Sequence, residues 1–242
     1  MNNQKILIIV PAYNEQGNVG STVKELLSLP LSIKVLVVDD GSIDGTAQEA
    51  KRAGAMVISL PFNLGIGGAV QTGFKFALAH DFTIALQVDG DGQHDVTYIE
   101  KLIEPILTND ADVVIGSRFL NPYLGYRSSF IRQMGIQFFA HLISYLIHCK
   151  ITDSTSGFRA FNKRAIEIFA QNYPQDYPEP EAIVLAQRLG LRIVEVSVQM
   201  RQRLIGHSSI RYLATLYYMI KVTFAILLDM LKRNKTSMDK IR

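Results

Sequence analysis

Cysteine is nearly absent: Cys149 is the one cysteine in 242 residues, so no intrachain disulfide framework is available. That fits a reducing compartment, and a small buried apolar side chain is the ordinary use of such a residue. Excess charge of one sign is also scarce, with a formal balance of +3, too little to argue for a nucleic-acid partner. No low-complexity segment, internal repeat or obvious linker interrupts the chain. The first apolar run, Ile6-Leu7-Ile8-Ile9-Val10, is too short and wrongly flanked for a signal peptide and reads as a strand. No Gly-Lys-Ser/Thr follows the glycine-rich stretch Asn63-Leu64-Gly65-Ile66-Gly67-Gly68, which excludes a Walker A loop. Nor does G-x-G-x-x-G stand at the first strand-to-helix turn, which argues against a nicotinamide site. What is present is a core: 48% of residues are hydrophobic and 19% charged, enough for one large α/β domain or two small ones.

Strand-like apolar runs at Ile6–Val10, Ile33–Val38, Ala55–Leu60, Phe82–Val88 and Asp112–Gly116 alternate with helical patterns near Asn18–Leu29, Asp44–Ala53, Gly67–Ala79 and Val96–Leu107. Near-continuous Val/Ile/Leu strands alternating with helices predict a mostly parallel sheet covered by helices on both faces. Ligands of such sheets bind outside the carboxyl ends of the strands. The chemically loaded residues recur at those ends: Pro11-Ala12-Tyr13-Asn14-Glu15, Asp39-Asp40-Gly41-Ser42, the Asn63–Gly68 loop, Asp89-Gly90-Asp91 and Gly116-Ser117-Arg118. Five polar loops on one edge argue for one shared site. The second half is less regular: a largely apolar helix over Ile131–His148, a polar loop Thr152–Arg159, a strand over Leu191–Val198 and a last helix over roughly Ile210–Arg233.

The stretch Gln87-Val88-Asp89-Gly90-Asp91-Gly92-Gln93-His94-Asp95 carries the sharpest chemistry. Two carboxylates one residue apart at the end of a buried strand suit a hard divalent cation, which takes oxygen ligands and leaves positions for water or a diphosphate. Asp89 and Asp91 are the expected ligands of Mg²⁺ or Mn²⁺, with Gln93 supplying a carbonyl oxygen. A polar turn alone would explain a single such match. His94 reads as a satisfied loop histidine rather than a ligand.

Taken together, Val10–Glu15, Val37–Thr46, Asn63–Gly73, Asp89–Asp95, Gly116–Arg118 and Asp153–Phe161 resemble the family 2 glycosyltransferases of the GT-A fold. The branch resembled includes dolichol-phosphate mannose synthase and the undecaprenyl-phosphate glycosyltransferases, and the likeness covers about residues 4–212. It implies a GT-A (Rossmann-like) catalytic domain over 1–209 and a C-terminal amphipathic helix with a basic tail over 210–242. It implies that Pro11, Ala12, Tyr13 and Glu15 line a nucleotide-sugar pocket and that Asp39 or Asp40 contacts base or ribose, where a carboxylate can accept from a uracil N–H or ribose hydroxyls. Asn63, Gly67, Asp89 and Gly90 complete that pocket by the same resemblance, although packing explains the glycines of the Asn63–Gly68 loop equally well.

The acceptor implied by the resemblance is a polyprenyl phosphate. Arg118 and Arg132 match positions that contact the acceptor phosphate, and Arg201, Arg203 and Ser208 match a basic loop near the phosphates. Arginine binds phosphate bidentately, which suits such clustering. Gly135 stands where some relatives carry Ser, so one hydroxyl contact is missing. Asp153 and Glu181 are the expected catalytic carboxylates, Asp153 orienting Arg159 or the acceptor and Glu181 facing the donor sugar. The runner-up reading is transfer to a hydroxyl of a growing polysaccharide or a protein, which would need one of these as base. A non-catalytic nucleotide-sugar scaffold is a third reading, against which intact Asp89 and Asp91 count.

Lys221 and Asp229 interrupt the apolar C-terminal helix, so it reads as an interfacial or oligomer-packing helix ahead of a membrane span. Lys232-Arg233-Asn234-Lys235 would favour an anionic leaflet. The expected location is cytoplasmic, peripheral to the inner face of the membrane, with a homo-oligomer allowed. Phe138–Leu142 offers a second membrane-facing surface or a piece of core.

Overall fold

The computed structural model describes residues 4–121, 130–147, 149–175 and 177–201. Seven strands form one sheet: β1 (Ile6–Ala12), β2 (Ile33–Asp39), β3 (Met56–Ser59), β4 (Ile84–Gln87), β5 (Val113–Ser117), β6 (Arg159–Asn162) and β7 (Ile193–Ser197). Between and after them run α1 (Val19–Leu27), α2 (Thr46–Arg52), α3 (Gly65–Ala79), α4 (Ile99–Leu107), α5 (Phe130–Ile147), α6 (Lys163–Gln171) and α7 (Pro178–Arg188). The strand order is β3-β2-β1-β4-β6-β5-β7.

The apolar runs become strands because both faces of the sheet are covered. Ile8 and Val10 pack on one face with Val35, Val37, Leu86 and the buried sides of α1 and α4, whose apolar residues Val19, Val23, Leu26 and Ile99, Leu102, Ile106 recur at helical spacing. Across the sheet Phe74 of α3, Phe161 of β6 and Phe169 of α6 form an aromatic cluster, with Phe74 meeting Phe161 edge-on at 4.9 Å. Burial of these side chains stabilises each by about 1.5–3 kcal/mol relative to exposure.

The topology positions the site. From β1 the order runs outward through β2 to β3, and then β4 returns to the other side of β1. The carboxyl ends of β1 and β4 therefore flank a topological switch point, where open α/β sheets bind ligands. β6 is the exception to parallel pairing: it lies antiparallel between β4 and β5, with Arg159 opposite both Gln87 and Ile115. Because it runs backwards, the loop that leads into it stands at the carboxyl edge of its neighbours. The polar stretch Thr152–Phe158 is thereby delivered to the same edge as the Asp pair.

The strands and first four helices match the sequence expectation within a few residues. β6 corrects it, since the expected loop ends in a strand, and α6 and α7 lie in the half that gave no clear pattern. Cys149 is half-buried rather than buried. On α5 the surface expected over 138–142 is divided: Phe138 and His141 are exposed and Ala140 is buried. Among the described residues no helix is long and apolar enough to cross a membrane. The expected helix and tail of 210–242 lie outside the described residues.

Candidate active site

The loops after β1 and β2 are laced together by side chains that the turn itself supplies. Asn14, held at φ 53°, donates its N–H to Ser42 Oγ at 2.9 Å and accepts the Ile43 N–H on Oδ1 at 3.0 Å. The Glu15 N–H donates to Thr46 Oγ1 at 2.9 Å. Asp39 and Asp40 are both buried but serve different loops. Asp39 Oδ1 accepts the Ser42 N–H at 3.1 Å, closing its own turn. Asp40 Oδ1 accepts the Leu64 N–H at 2.7 Å and so ties β2 to the loop after β3. Burial raises the Asp40 carboxyl above its usual range despite that bond. Tyr13 stands half exposed at the rim, and Gly90 lies against Pro11 and Ala12. Thus Pro11, Ala12, Tyr13, Glu15, Asp39, Asp40 and Gly90 gather at the β1–β4 edge.

The glycine loop divides. Asn63 is exposed and accepts the Gly65 N–H at 2.9 Å. Gly67 is buried, and a Cβ on it would meet Pro174 O at 2.4 Å and Gln175 Cα at 2.7 Å. The position requires glycine because another backbone occupies the side-chain space. Gly67 thus has a packing role.

Asp89 follows β4 directly. Its N–H donates to His94 Nδ1 at 3.0 Å, which leaves the imidazole proton on Nε2. His94 is buried and stacks on Phe158 with ring centroids 4.7 Å apart. Burial pushes its pKa down to about 4, so it is neutral at neutral pH. Its Nε2 lies 3.6 Å from Asp89 Oδ2, too far for a hydrogen bond. Asp89 Oδ1 is buried with no hydrogen-bond partner within 3.5 Å among the described residues. Burial raises the Asp89 carboxyl to about 6, tempered by the Gln87 amide and by the charges of Arg118 and Arg159. Asp91 Oδ1 accepts the Gln93 N–H at 3.0 Å, and the Gln93 carbonyl accepts the Arg201 N–H at 2.8 Å.

This donor set fits a divalent cation. Asp89 sits beside a neutral ring with no ion pair to a charged cation among the described residues, so a bound cation would supply the missing countercharge. No cluster of three or more His, Cys, Asp or Glu able to hold a metal occurs among the described residues. Asp89 and Asp91, with Gln93, would leave other positions to water and diphosphate, the manner in which Mg²⁺ is held.

Arg118 follows β5 and meets the loop leading into β6. Its Nε donates to Asp153 Oδ2 at 2.6 Å and its Nη2 to Asp153 Oδ1 at 2.7 Å, while Nη2 also donates to Thr155 Oγ1 at 2.7 Å. Asp153 is wholly buried and also accepts the Arg118 backbone N–H at 3.1 Å. Glu195 of β7 anchors the same loop from the opposite side. Its carboxylate accepts the Thr152 N–H at 2.8 Å, the Thr152 hydroxyl at 2.8 Å and the Asp153 N–H at 2.9 Å. Burial raises its carboxyl above the usual range. Arg159 is buried and donates to the carbonyls of Ser156 at 2.8 Å and Ser154 at 3.3 Å, so Asp153 orients Arg118 rather than Arg159.

The loop that holds Arg118 through Asp153 also reaches Asp89: a Cβ on Gly157 would stand 3.0 Å from Asp89 Oδ1, and the charge of Arg118 lowers the Asp89 pKa. The Arg201 guanidinium pairs with Glu25 Oε1 at 2.6 Å and Asp95 Oδ1 at 2.8 Å. Arg132 falls on α5, but its side chain lies outside the described residues, as do Arg203 and Ser208. On α7, Glu181 lies in the first turn. The neighbouring Glu179 was not singled out, yet it shares the field of the site: burial raises its carboxyl, the charge of Arg159 opposes that, and Asp89 adds to it. Glu195 is a further such residue, because a glutamate within a β strand carries no local signal of chemistry.

Known proteins resemble this chain. The chain is 31% identical to a UDP-N-acetylglucosamine–dolichyl-phosphate N-acetylglucosaminyltransferase of Methanococcus voltae, over 82% of this chain and 86% of that one. It is 32% identical to an undecaprenyl-phosphate mannosyltransferase of Micrococcus luteus, over 84% and 86%. In three dimensions it is similar to glucosyl-3-phosphoglycerate synthase from Mycobacterium tuberculosis, solved with Mn²⁺, uridine diphosphate and glucosyl-3-phosphoglycerate. The TM-score is 0.69 at 23% identity, covering 94% of this chain and 80% of that one, a likeness of fold. The model of glycosyl transferase family 2 matches residues 7–169, from β1 through most of α6. A mostly parallel sheet with an acid pair at its switch point, together with that match, makes this chain a glycosyltransferase that belongs to glycosyl transferase family 2.

Proposed function

We propose that this enzyme moves one sugar from a nucleotide sugar, with uridine as the nucleotide, to the phosphate of a polyprenyl phosphate, inverting the anomeric carbon. The observation that carries the reading is the pinned arginine: Arg118 held in a fixed fork by a wholly buried Asp153, within the field of Asp89. A carboxylate so engaged is poorly placed to act as a base, whereas an arginine so oriented suits a phosphate. A phosphate monoester has a second pKa near ~6 and is largely a dianion at neutral pH. Such an acceptor needs positioning and electrostatic help more than proton removal. The names of the two relatives, both of which act on lipid phosphates, support the same acceptor.

In this reading Pro11, Ala12, Tyr13, Glu15, Asp39, Asp40, Asn63 and Gly90 seat the nucleotide. Asp89, Asp91 and Gln93 would hold Mg²⁺ or Mn²⁺, which would neutralise charge gathering on the departing diphosphate. Arg118, with Arg132 and Arg203, orients the acceptor phosphate. An acceptor oxygen attacks the anomeric carbon in line, and the bond to the diphosphate breaks with its electron pair leaving on the nucleotide. Glu181, in the first turn of α7, faces the donor sugar. The lipid acceptor places the enzyme at the inner face of the cell membrane as a peripheral protein, in cell-envelope glycan synthesis.

A radiolabel transfer assay with membranes and a panel of nucleotide sugars tests this. Product that extracts into organic solvent and is released by mild acid is expected. Water-soluble product would replace the reading with transfer to a sugar or protein hydroxyl. No transfer from any donor would sink both.

A further inference from the structure

Below the Asp pair, three groups converge on one small volume. Gly157 lies in the loop leading into β6, and a Cβ on it would stand 3.0 Å from Asp89 Oδ1, 3.1 Å from Asp89 Oδ2 and 3.2 Å from Gln87 Nε2. A methyl group there has no room unless the carboxylate or the amide moves. Gln87 ends β4 and is 1% exposed. Its Oε1 faces the Tyr173 hydroxyl at 3.5 Å, the outer limit of a hydrogen bond, and Tyr173 is itself buried. Gln87 Nε2 and Asp89 Oδ1 are each buried with no hydrogen-bond partner within 3.5 Å among the described residues. A buried amide hydrogen and a buried carboxylate oxygen are both costly to leave unpaired. Here the complementary donor and acceptor both line the space that a Gly157 Cβ would fill, and the Gln87 amide favours the charged form of Asp89. The Asp89 side chain is nevertheless 34% exposed, and since Oδ1 is covered, that exposure belongs to the rest of the group.

We propose that Gly157 and Gln87 are positioning residues for the Asp89 carboxylate. The absent side chain at 157 opens its seat, and the Gln87 amide, steadied from behind by Tyr173, holds the inner oxygen there. The outer part of the carboxylate would then be held ready for a divalent cation. This rests on the reading of Asp89 as a metal ligand. Groups that orient a ligand in this way commonly shift metal affinity about 10- to 100-fold when removed.

The test is a titration of the full chain with Mn²⁺, alone and with uridine diphosphate, following free Mn²⁺ by its EPR signal. The unfolding midpoint of the metal-free protein is measured alongside. Gly157→Ala should weaken Mn²⁺ binding by roughly tenfold or more, through displacement of the carboxylate. Gln87→Met keeps the volume and removes the amide, so it should weaken Mn²⁺ by about tenfold with little change in the midpoint. It carries the test if the alanine variant fails to fold. Mn²⁺ affinity equal to wild type in the folded variants, with Asp89→Asn abolishing binding, would overturn the proposal and leave Asp89 as a ligand. Affinity that falls only with the folded fraction would overturn it too. A wild-type protein that binds no Mn²⁺ in either titration would remove Asp89 as a ligand and the proposal with it.

Discussion

Arg118 and Asp153 form a two-pronged ion pair at the join of β5 and the loop into β6, with Nε and Nη2 of the arginine 2.6 and 2.7 Å from the two carboxylate oxygens. Neither residue is more than 7% exposed. The pair fixes the plane of the guanidinium before any substrate arrives, which lowers the ordering cost of binding an anion. Four measurements bear on it and on the scaffold around it.

Replacing Asp153 by Asn should lower turnover by at least about a hundredfold, because misplacing a group that orients the reactants costs that much. It should also cost about 3–5 kcal/mol of stability, since it leaves a buried guanidinium without its countercharge. Arg118→Lys cannot reproduce the fork and should fall comparably in turnover. Steady-state kinetics with urea unfolding separates the two effects. If Asp153→Asn alone were inactive and Arg118→Lys nearly normal, Asp153 would be a base and the acceptor a hydroxyl.

Glu195→Gln tests the outer anchor. Glu195 accepts bonds on both oxygens from Thr152 and Asp153, and a glutamine retains one acceptor oxygen. A fall in kcat of about tenfold with an unchanged donor KM is expected, as for an interaction that shapes the reacting geometry alone. An unchanged kcat would mean that the Thr152–Asp153 loop holds its shape without the anchor.

Arg201 should prove unimportant to the acceptor. Its guanidinium is 41% exposed and joined to Glu25 and Asp95. Arg201→Ala should change stability by no more than about 1 kcal/mol, the usual range of exposed pairs. The acceptor KM should stay within about threefold, less than the tenfold that 1.4 kcal/mol represents. A large rise in acceptor KM would return Arg201 to the phosphate site.

The acid limit of stability should be set in part by Asp112. It is buried against Arg192, whose Nε lies 3.2 Å away, and it accepts from Asn162 Nδ2 at 2.7 Å. Burial opposes its charge, but the hydrogen bonds from Arg192 and Asn162 outweigh it and hold the carboxyl below its usual range. A depressed folded pKa contributes stability above the unfolded value, near ~3.9, and loses it as pH falls through the folded value. Asp112→Asn should therefore cost about 1.5–3 kcal/mol at pH ~7, the range for bonds to a charged group. The gap to wild type should narrow below pH ~4, and urea unfolding at the two pH values checks it. A gap that does not narrow would mean that packing, not charge, accounts for the loss.

Much of the candidate site was legible because chemistry sits at strand ends. The runs Ile6–Val10 and Ile33–Val38 are apolar at every position, which marks buried parallel strands, and the polar residues just after them had to reach one edge. β6 was hidden for a physical reason. Arg159-Ala160-Phe161-Asn162 is a four-residue strand that begins with an arginine, so neither length nor apolarity announces it. Its charge is tolerated because the carbonyls of Ser154 and Ser156 accept from the guanidinium. Arg118 and Arg201 looked alike as basic residues near polar turns, and only their neighbours in space separated them.

The sequence by itself determined the periodicities that build the sheet and the kinds of side chain at its edge: paired acids, arginines and glycines at turns. The tertiary structure alone decided which partner each obtained. Asp153 reached Arg118, Arg201 reached Glu25, and backbone filled the space beside Gly67. The reason is that local pattern depends on neighbours a few residues away, whereas charge pairing and close packing depend on which segments the strand order and the reversal of β6 bring to the same place.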